Sequence, residues 1–306
     1  MEDVRDFAEE GRNLVGIIPI AGHESYDFDQ PWPPCMMPIG PGFSLIEAAV
    51  SECAWAGCKS IWITVNHDFA PYIRKRLGDW CGDPVWCNRV FDRNIGESKR
   101  RIPIYYVGVN PKDRHKRDCT AWSVIHGALT AFKTLAKISE WMIPSKYYVS
   151  FPHGFFPAYQ LREHRRIINS KKNCFVSFNG STVKDDRFMS FTFGKDEWLE
   201  FRRVIRKGTG ARVPGTVPED GLFLPPEERW SARYFPLSKV FDALDLNEAH
   251  EIPVENYFDV SNWEEYRTFI SASRNIAVMR PTKSILIGTK ANAVSTDYLE
   301  DDEGET

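Results

Sequence analysis

Residues 15–40 read VGIIPIAGHESYDFDQPWPPCMMPIG. An apolar run that stops at Ala21-Gly22 suits a buried strand that hands a ligand to a loop, since glycine lets the backbone come close to what is bound. A loop that holds phosphate normally adds cations. This one carries Glu24, Asp27 and Asp29 and no Arg or Lys before Pro34, a set of oxygens suited to a hard divalent cation. Trp32 lies in PWPP, where an indole stacks on a base, on a sugar or on its own prolines. Positive charge gathers elsewhere. Lys112, Arg114, His115, Lys116 and Arg117 fall in NPKDRHKRDC, and Arg162, Arg165 and Arg166 flank His164 in LREHRR. The first reads as a solvated loop whose charge would also suit a polyanion. The second reads as a phosphate contact or as a surface helix held by charge pairs. His153 follows a strand-like run, where an imidazole serves as ligand, base or hydrogen-bonded structure. KGTGARVPG follows a helix and precedes none, so it fails the test for a phosphate loop and reads as a mobile flap or insertion.

These groups sit in a chain of 306 residues, 42% hydrophobic and 26% charged, with net charge −3. That length supports one large domain or two small ones, with a core that needs no staples. The near-balance of charge gives no overall field for nucleic acid or membrane, so a nucleic-acid partner has only the local basic clusters in its favour. No apolar run approaches the roughly 18–20 residues of a membrane span, and the acidic start MEDVRDFAEEGRN is not a secretory leader. The seven cysteines are Cys35, Cys53, Cys58, Cys81, Cys87, Cys119 and Cys174. An odd count without framework spacing predicts free structural thiols in a reducing cytoplasm. Cys81 and Cys87 fall near His67 but match no zinc module.

The elements that must position these groups alternate. A short polar helix is predicted over 1–12 and a buried strand over 14–20. Residues 43–58 form a helix, with Ser44 and Glu47 as a capping box and Gly57 as its stop. Strand 60–66, helix 70–80, strand 101–109, helix 120–141 and strand 146–151 follow. This β-α-β-α-β-α-β order implies a three-layer α/β sandwich around a mostly parallel sheet. The pattern then changes. Helix 161–170 precedes two strands around Asn179-Gly180 and a third short run within 173–194. Helices follow at DEWLEFRRVIRKG and LSKVFDALDLNEAH, and NYFDVSNWEEYRTFISASR runs from a strand end into a last helix. Residues 271–306 add a short strand and an acidic tail, STDYLEDDEGET, with the composition of a disordered segment.

The order of these pieces resembles the sugar-phosphate nucleotidyltransferases, with their glycosyltransferase-A-like fold, over roughly 14–270. Five segments carry the resemblance. IIPIAG stands where that family ends a strand in Ala-Gly before a glycine-rich, arginine-bearing triphosphate loop. PPCMMPIGPGFSLIEAAVSECAWAGCKSIWITVN follows the family's pattern of proline, helix and strand, and is the most specific match. CTAWSVIHGAL lies where a Gly-Thr-Ala turn touches the base. YYVSFPHG takes the place of the strand that ends in a metal-binding Asp. NYFDVSNWEEYRTFI looks like the aromatic-x-Asp-x-x-Thr segment that supplies a second metal ligand. The resemblance implies nucleotide contacts at Ala21, Gly22, Thr120 and Ala121. It implies Mg²⁺ or Mn²⁺ on Asp259, helped by His153, and Lys195 in FTFGKDEW as the contact to the sugar-type or phosphorylated acceptor. It also implies a nucleotide half over 14–151 and an acceptor half over 152–270.

The chain departs from that family at each cation. The loop after Gly22 has none, Cys35 fills the lysine slot after Pro34, and Pro152 or His153 replaces the first metal-binding Asp. The family's reaction is in-line attack of a sugar phosphate on the α-phosphorus of a nucleoside triphosphate, and it needs cationic stabilisation of the phosphoryl oxygens. Three readings follow. The acidic loop binds a divalent metal that replaces the lost side chains; or the fold serves a metal-dependent glycosyltransferase that uses a nucleotide sugar; or catalysis is gone and a nucleotide-binding or interaction role remains.

Overall fold

The computed structural model describes residues 13–22, 28, 30–40, 42–87, 101–110, 119–208 and 235–272. The predicted helix over 1–12, the acidic residues Glu24, Asp27 and Asp29, the basic run 111–118, most of the 207–221 flap and the tail from 273 lie outside these residues.

The first strand, β1 (Leu14–Pro19), is buried along its whole length. A small hairpin, β2 (Pro38–Gly40) and β3 (Phe43–Ser44), leads into helix α1 (Leu45–Ala56). The capping box forms as its sequence predicts. Glu47 Oε2 accepts from the Ser44 amide and hydroxyl, each at 2.8 Å, and Gly57 ends the helix in the left-handed region. Strand β4 (Ser60–Val65), helix α2 (Ala70–Leu77), strand β5 (Trp80–Gly82), the single turn α3 (Pro84–Cys87) and strand β6 (Arg101–Gly108) follow. Helix α4 (Thr120–Ile138) then leads to β7 (Lys146–Val149). Beyond them come β8 (Gly154–Phe155), α5 (Leu161–Ile168), β9 (Cys174–Ser177), β10 (Phe191–Phe193), α6 (Lys195–Gly208), α7 (Leu237–Val240), β11 (His250–Pro253), β12 (Phe258–Asp259) and α8 (Trp263–Ala272).

Eight strands make one sheet in the order β11-β9-β10-β7-β1-β4-β6-β5. The centre, β7-β1-β4-β6, is parallel. The β10 strand runs antiparallel between β7 and β9, and β5 closes the far edge antiparallel to β6. Side chains alternate across β1, as a pleated strand requires. Leu14 and Ile18 face a core shared with α1, α2 and α5, whereas Val15 and Ile17 face one shared with α4, α6 and α7. The second core is aromatic. Phe191 lies 4.8 Å from Phe241, and Phe201 lies 5.5 Å from Phe193 and 4.9 Å from Phe241, centroid to centroid. Each such contact adds about 0.5–1.5 kcal/mol beyond burial, which pins α6 and α7 to β10. This is the predicted three-layer architecture.

Three local readings change. Asn179 and Gly180 take positive φ (50° and 80°) as a hairpin turn should, but its second arm is a lone Phe178–Ser181 bridge. The antiparallel partner of β9 is β10, which begins ten residues after Ser181, and β11 pairs its other edge. The helix expected over 237–250 ends at Val240. Phe241 and Leu244 turn into the core, and Asp245 Oδ1 takes the Asn247 amide at 2.9 Å, a side-chain turn that competes with helix. Trp80, expected at a helix end, begins the edge strand β5. Among the described residues, no helix is long and apolar enough to cross a membrane.

Candidate functional site

The strand order reverses between β1 and β7. The chain leaves β1 through α1 to reach β4 on one side and returns through α4 to place β7 on the other. In open α/β sheets the crevice at the carboxyl ends of two such strands receives the ligand. Here those ends are Ile20–Gly22 and Ser150–His153. Each is extended by backbone bonds, Ile20 N to Thr64 O at 2.9 Å and Ser150 N to Ile17 O at 3.0 Å.

Gly22 lies directly against the start of α4. A Cβ there would sit 2.3 Å from the Thr120 nitrogen and 2.7 Å from the Thr120 Cα, so the close approach requires glycine. It brings Ala21 and Gly22 together with Thr120 and Ala121, the four residues read as nucleotide contacts. Ala21 and Ala121 are buried, so they offer backbone rather than side chain. Cys119 caps α4, its sulfur accepting from the Trp122 amide at 3.4 Å. The first turn of this 19-residue helix presents amides and the positive end of its dipole, an arrangement that favours an anion. Beside it opens a cavity of about 260 Å³, lined among the described residues by Cys119, Thr120, Asp186, Phe188, Phe235, Pro236 and Leu237.

The second group lies across Phe188. Asp259 pairs with Gly154 in the β8–β12 ladder, and the Val260 amide donates to His153 O at 2.7 Å. A Cβ on Gly154 would lie 1.7 Å from Phe188 O, so again only glycine fits. The Phe188 ring is 5.7 Å from the His153 ring, and Phe188 also lines the Thr120 cavity. His153 is buried, with Nδ1 3.3 Å from Val260 O. Phe188 therefore lies beside both His153 and the Thr120 cavity.

Asp259 has company that the sequence reading did not assign. Its Oδ1 accepts from the Ser261 amide at 3.1 Å, and its Oδ2 lies 3.8 Å from Arg187 Nη1. Glu265, one turn into α8, accepts from the Ser261 hydroxyl at 3.2 Å. Burial first, and the neighbouring Asp259 carboxylate second, hold the Glu265 carboxyl above the usual range. Tyr257, pushed up chiefly by burial and then by Asp259, completes the cluster. The signal for Arg187 was a basic residue in VKDDRFMS, the link between two strands, but only the tertiary fold puts that link beside Asp259.

Lys195 is not brought to this place. Strand β10 runs opposite to β7, with Phe191 beside Val149 and Phe193 beside Tyr147. The chain therefore reaches Lys195 at the amino-terminal edge of the sheet, across from the crevice. Arg165 is also engaged elsewhere, gripping the buried Asp83 with both fork nitrogens at 2.9 and 2.7 Å, which ties α5 to the end of β5. Cys35 is fully buried in the core under α1, so the thiol in the lysine slot points inward. Trp32 is half exposed. The described cysteines are buried and form no disulfide among the described residues.

Behind β7 lies a buried acid. Glu52 of α1 accepts hydrogen bonds from Tyr148 at 2.7 Å, Ser150 at 2.8 Å and Ser190. Burial raises its carboxyl to about 7, against the opposing pull of those three donors. The network fastens α1 to the ends of β7 and β10 that carry the crevice.

No family model and no curated protein matches the sequence. Solved structures do match the fold. A chain assigned as a glucose-1-phosphate thymidylyltransferase from Bacillus anthracis, in complex with sucrose, is 9% identical with a TM-score of 0.53, over 88% of this chain and 98% of that one. A UTP-bound UGPase from Acinetobacter baumannii is 9% identical with a TM-score of 0.50, over 94% and 99%. At that identity the likeness is one of fold: this chain has a nucleotidyltransferase-like fold.

Proposed function

We propose that the protein is a nucleotidyltransferase-like transferase. It binds a nucleoside triphosphate or nucleotide sugar in the crevice between β1 and β7 and acts on a sugar-type or phosphorylated acceptor. The carrying observation is the packing of Gly22 on Thr120. It sets the end of β1 against the amino terminus of α4 at the switch point, where backbone amides suit a phosphate without side-chain charge. The neighbours add support, since one holds UTP and the other is assigned to thymidylyl transfer to glucose 1-phosphate.

In this reading the amides at Gly22 and at the first turn of α4 orient the phosphates. Phe188 lines the nucleotide cavity and packs beside His153. Among the described residues no cluster of three His, Cys, Asp or Glu side chains could hold a metal. Mg²⁺ needs less, because it takes one or two carboxylates and completes its shell with water and substrate phosphate. Asp259 and Glu265 fit that demand, and the Glu265 carboxyl, raised first by burial and second by Asp259, would be drawn to its charged form by a cation. His153 has a backbone oxygen against Nδ1 and suits orientation of the loop better than a hard ion. When bound, the ion would offset phosphate charge. The acceptor contact does not fall to Lys195, which lies on the far edge.

The test is a thermal-shift series with each nucleoside triphosphate, UDP-glucose and related nucleotide sugars, with and without Mg²⁺. Nucleotidyl transfer predicts stabilisation by a triphosphate. Glycosyl transfer, the second reading favoured by the missing loop cations, predicts stabilisation by the nucleotide sugar alone. No shift with any of them contradicts both and leaves the interaction role. Asp259→Asn should abolish the Mg²⁺-dependent part of the shift, and an unchanged response would remove Asp259 from the site.

A further inference from the structure

Two arginines near this sheet make opposite kinds of ion pair. Arg165 spends its fork on Asp83, and both side chains are largely buried. Arg187 does not. It approaches Asp259 at 3.8 Å through Nη1, with 48% of the arginine side chain exposed against 11% of the aspartate. A guanidinium carries five N–H donors in a planar fork that matches a phosphate edge. One long contact on a half-exposed side chain leaves donors of that fork for a ligand.

The segment that carries Arg187 is held on both sides. Asp186, in the left-handed region at φ 58°, accepts from the Ser238 amide and hydroxyl, each at 2.8 Å. Phe188 is wedged over Gly154 and packs on Phe151 at 5.7 Å. Asp186 and Phe188 both line the Thr120 cavity. Arg187 thus stands between two fixed residues at the carboxyl edge of the sheet, so little ordering is needed for it to meet a ligand. The loop after Gly22, where a phosphate-binding cation is expected, has no Arg or Lys.

We propose that Arg187 is a phosphate-binding cation of this crevice, delivered from the β9–β10 link in place of the cations missing from the β1 loop. The inference rests on the reading that the crevice takes a phosphorylated ligand. Apo, the guanidinium neutralises Asp259; with ligand bound, it carries phosphate charge.

Calorimetric titration of the full chain with UTP, the other three nucleoside triphosphates and pyrophosphate tests the assignment. Arg187→Ala should weaken the triphosphate that binds wild type by roughly tenfold to hundredfold, the loss expected for a hydrogen bond to a charged group. Pyrophosphate, which has neither base nor sugar, should lose as much. Arg187→Gln keeps an amide donor for Asp259 without the charge and should behave the same way; it decides the matter if Arg187→Ala does not fold. Arg187→Lys should recover part of the affinity. Wild-type affinity in Arg187→Gln overturns the assignment while leaving the crevice reading intact. A wild type that binds none of these probes overturns the assignment and the nucleotidyl-transfer reading with it.

Discussion

Glu52 carries a charge that the fold resists. Its carboxyl sits among three hydroxyl donors in a space closed to water, and burial lifts it to about 7 from an ordinary 4.5. The folded state therefore holds a proton that the unfolded chain releases. The stabilisation is fully present below about pH 4.5 and is lost as the pH rises through 7, a difference of about 3 kcal/mol. Glu52→Gln removes the titration. Relative to wild type it should gain about that much between pH 5 and pH 8, measured by urea unfolding of both proteins at each pH. Parallel pH profiles would contradict the account. At this scale the sequence was only partly legible. Asp259 was singled out through the resemblance of NYFDVSNWEEYRTFI, and Gly22 through the end of its strand. Lys195 was misplaced because strand direction, which decides the edge a residue reaches, is not written in a short apolar run. Arg187 and Glu265 were missed because each gains its meaning from Asp259, far away along the chain.

The elements themselves were easier to read, because each carries its own punctuation. Ser44, Glu47 and Gly57 bound α1 in the sequence as in the structure. Glu47 is buried and accepts from Ser44 and from Arg76 at 2.9 Å. Glu47→Ala should cost about 1–2 kcal/mol in chemical denaturation, and a neutral effect would mean that the cap contributes nothing. Gly22→Ala tests the junction of two elements. Its methyl would fall 2.3 Å from a backbone nitrogen of α4, so strand end and helix start must part. We expect a loss of roughly 1–3 kcal/mol together with the loss of any nucleotide-induced stabilisation. A variant that keeps both would refute the contact. Where punctuation was misleading, pairing decided. The Asn179-Gly180 turn is real, yet the strand it announces shrinks to one bridge because β10 offers β9 a partner continuous with the central sheet.

For the whole molecule, the alternation of buried strands and amphipathic helices sufficed to predict the layered sheet, since right-handed crossovers leave few other arrangements. The proposed function rests on where the sheet's order reverses and on what collects there: an amide-bearing helix terminus, a 260 Å³ cavity, and Asp259 with Arg187 and Glu265 near Phe188. The most direct test is hydrogen exchange of the full chain with and without UTP and Mg²⁺, read peptide by peptide. The account predicts slowed exchange in peptides covering 20–22, 119–123, 153–154, 186–188 and 258–261, with the amino-terminal edge around 193–195 unchanged. Protection confined to other surfaces, with no change in these peptides, would contradict it.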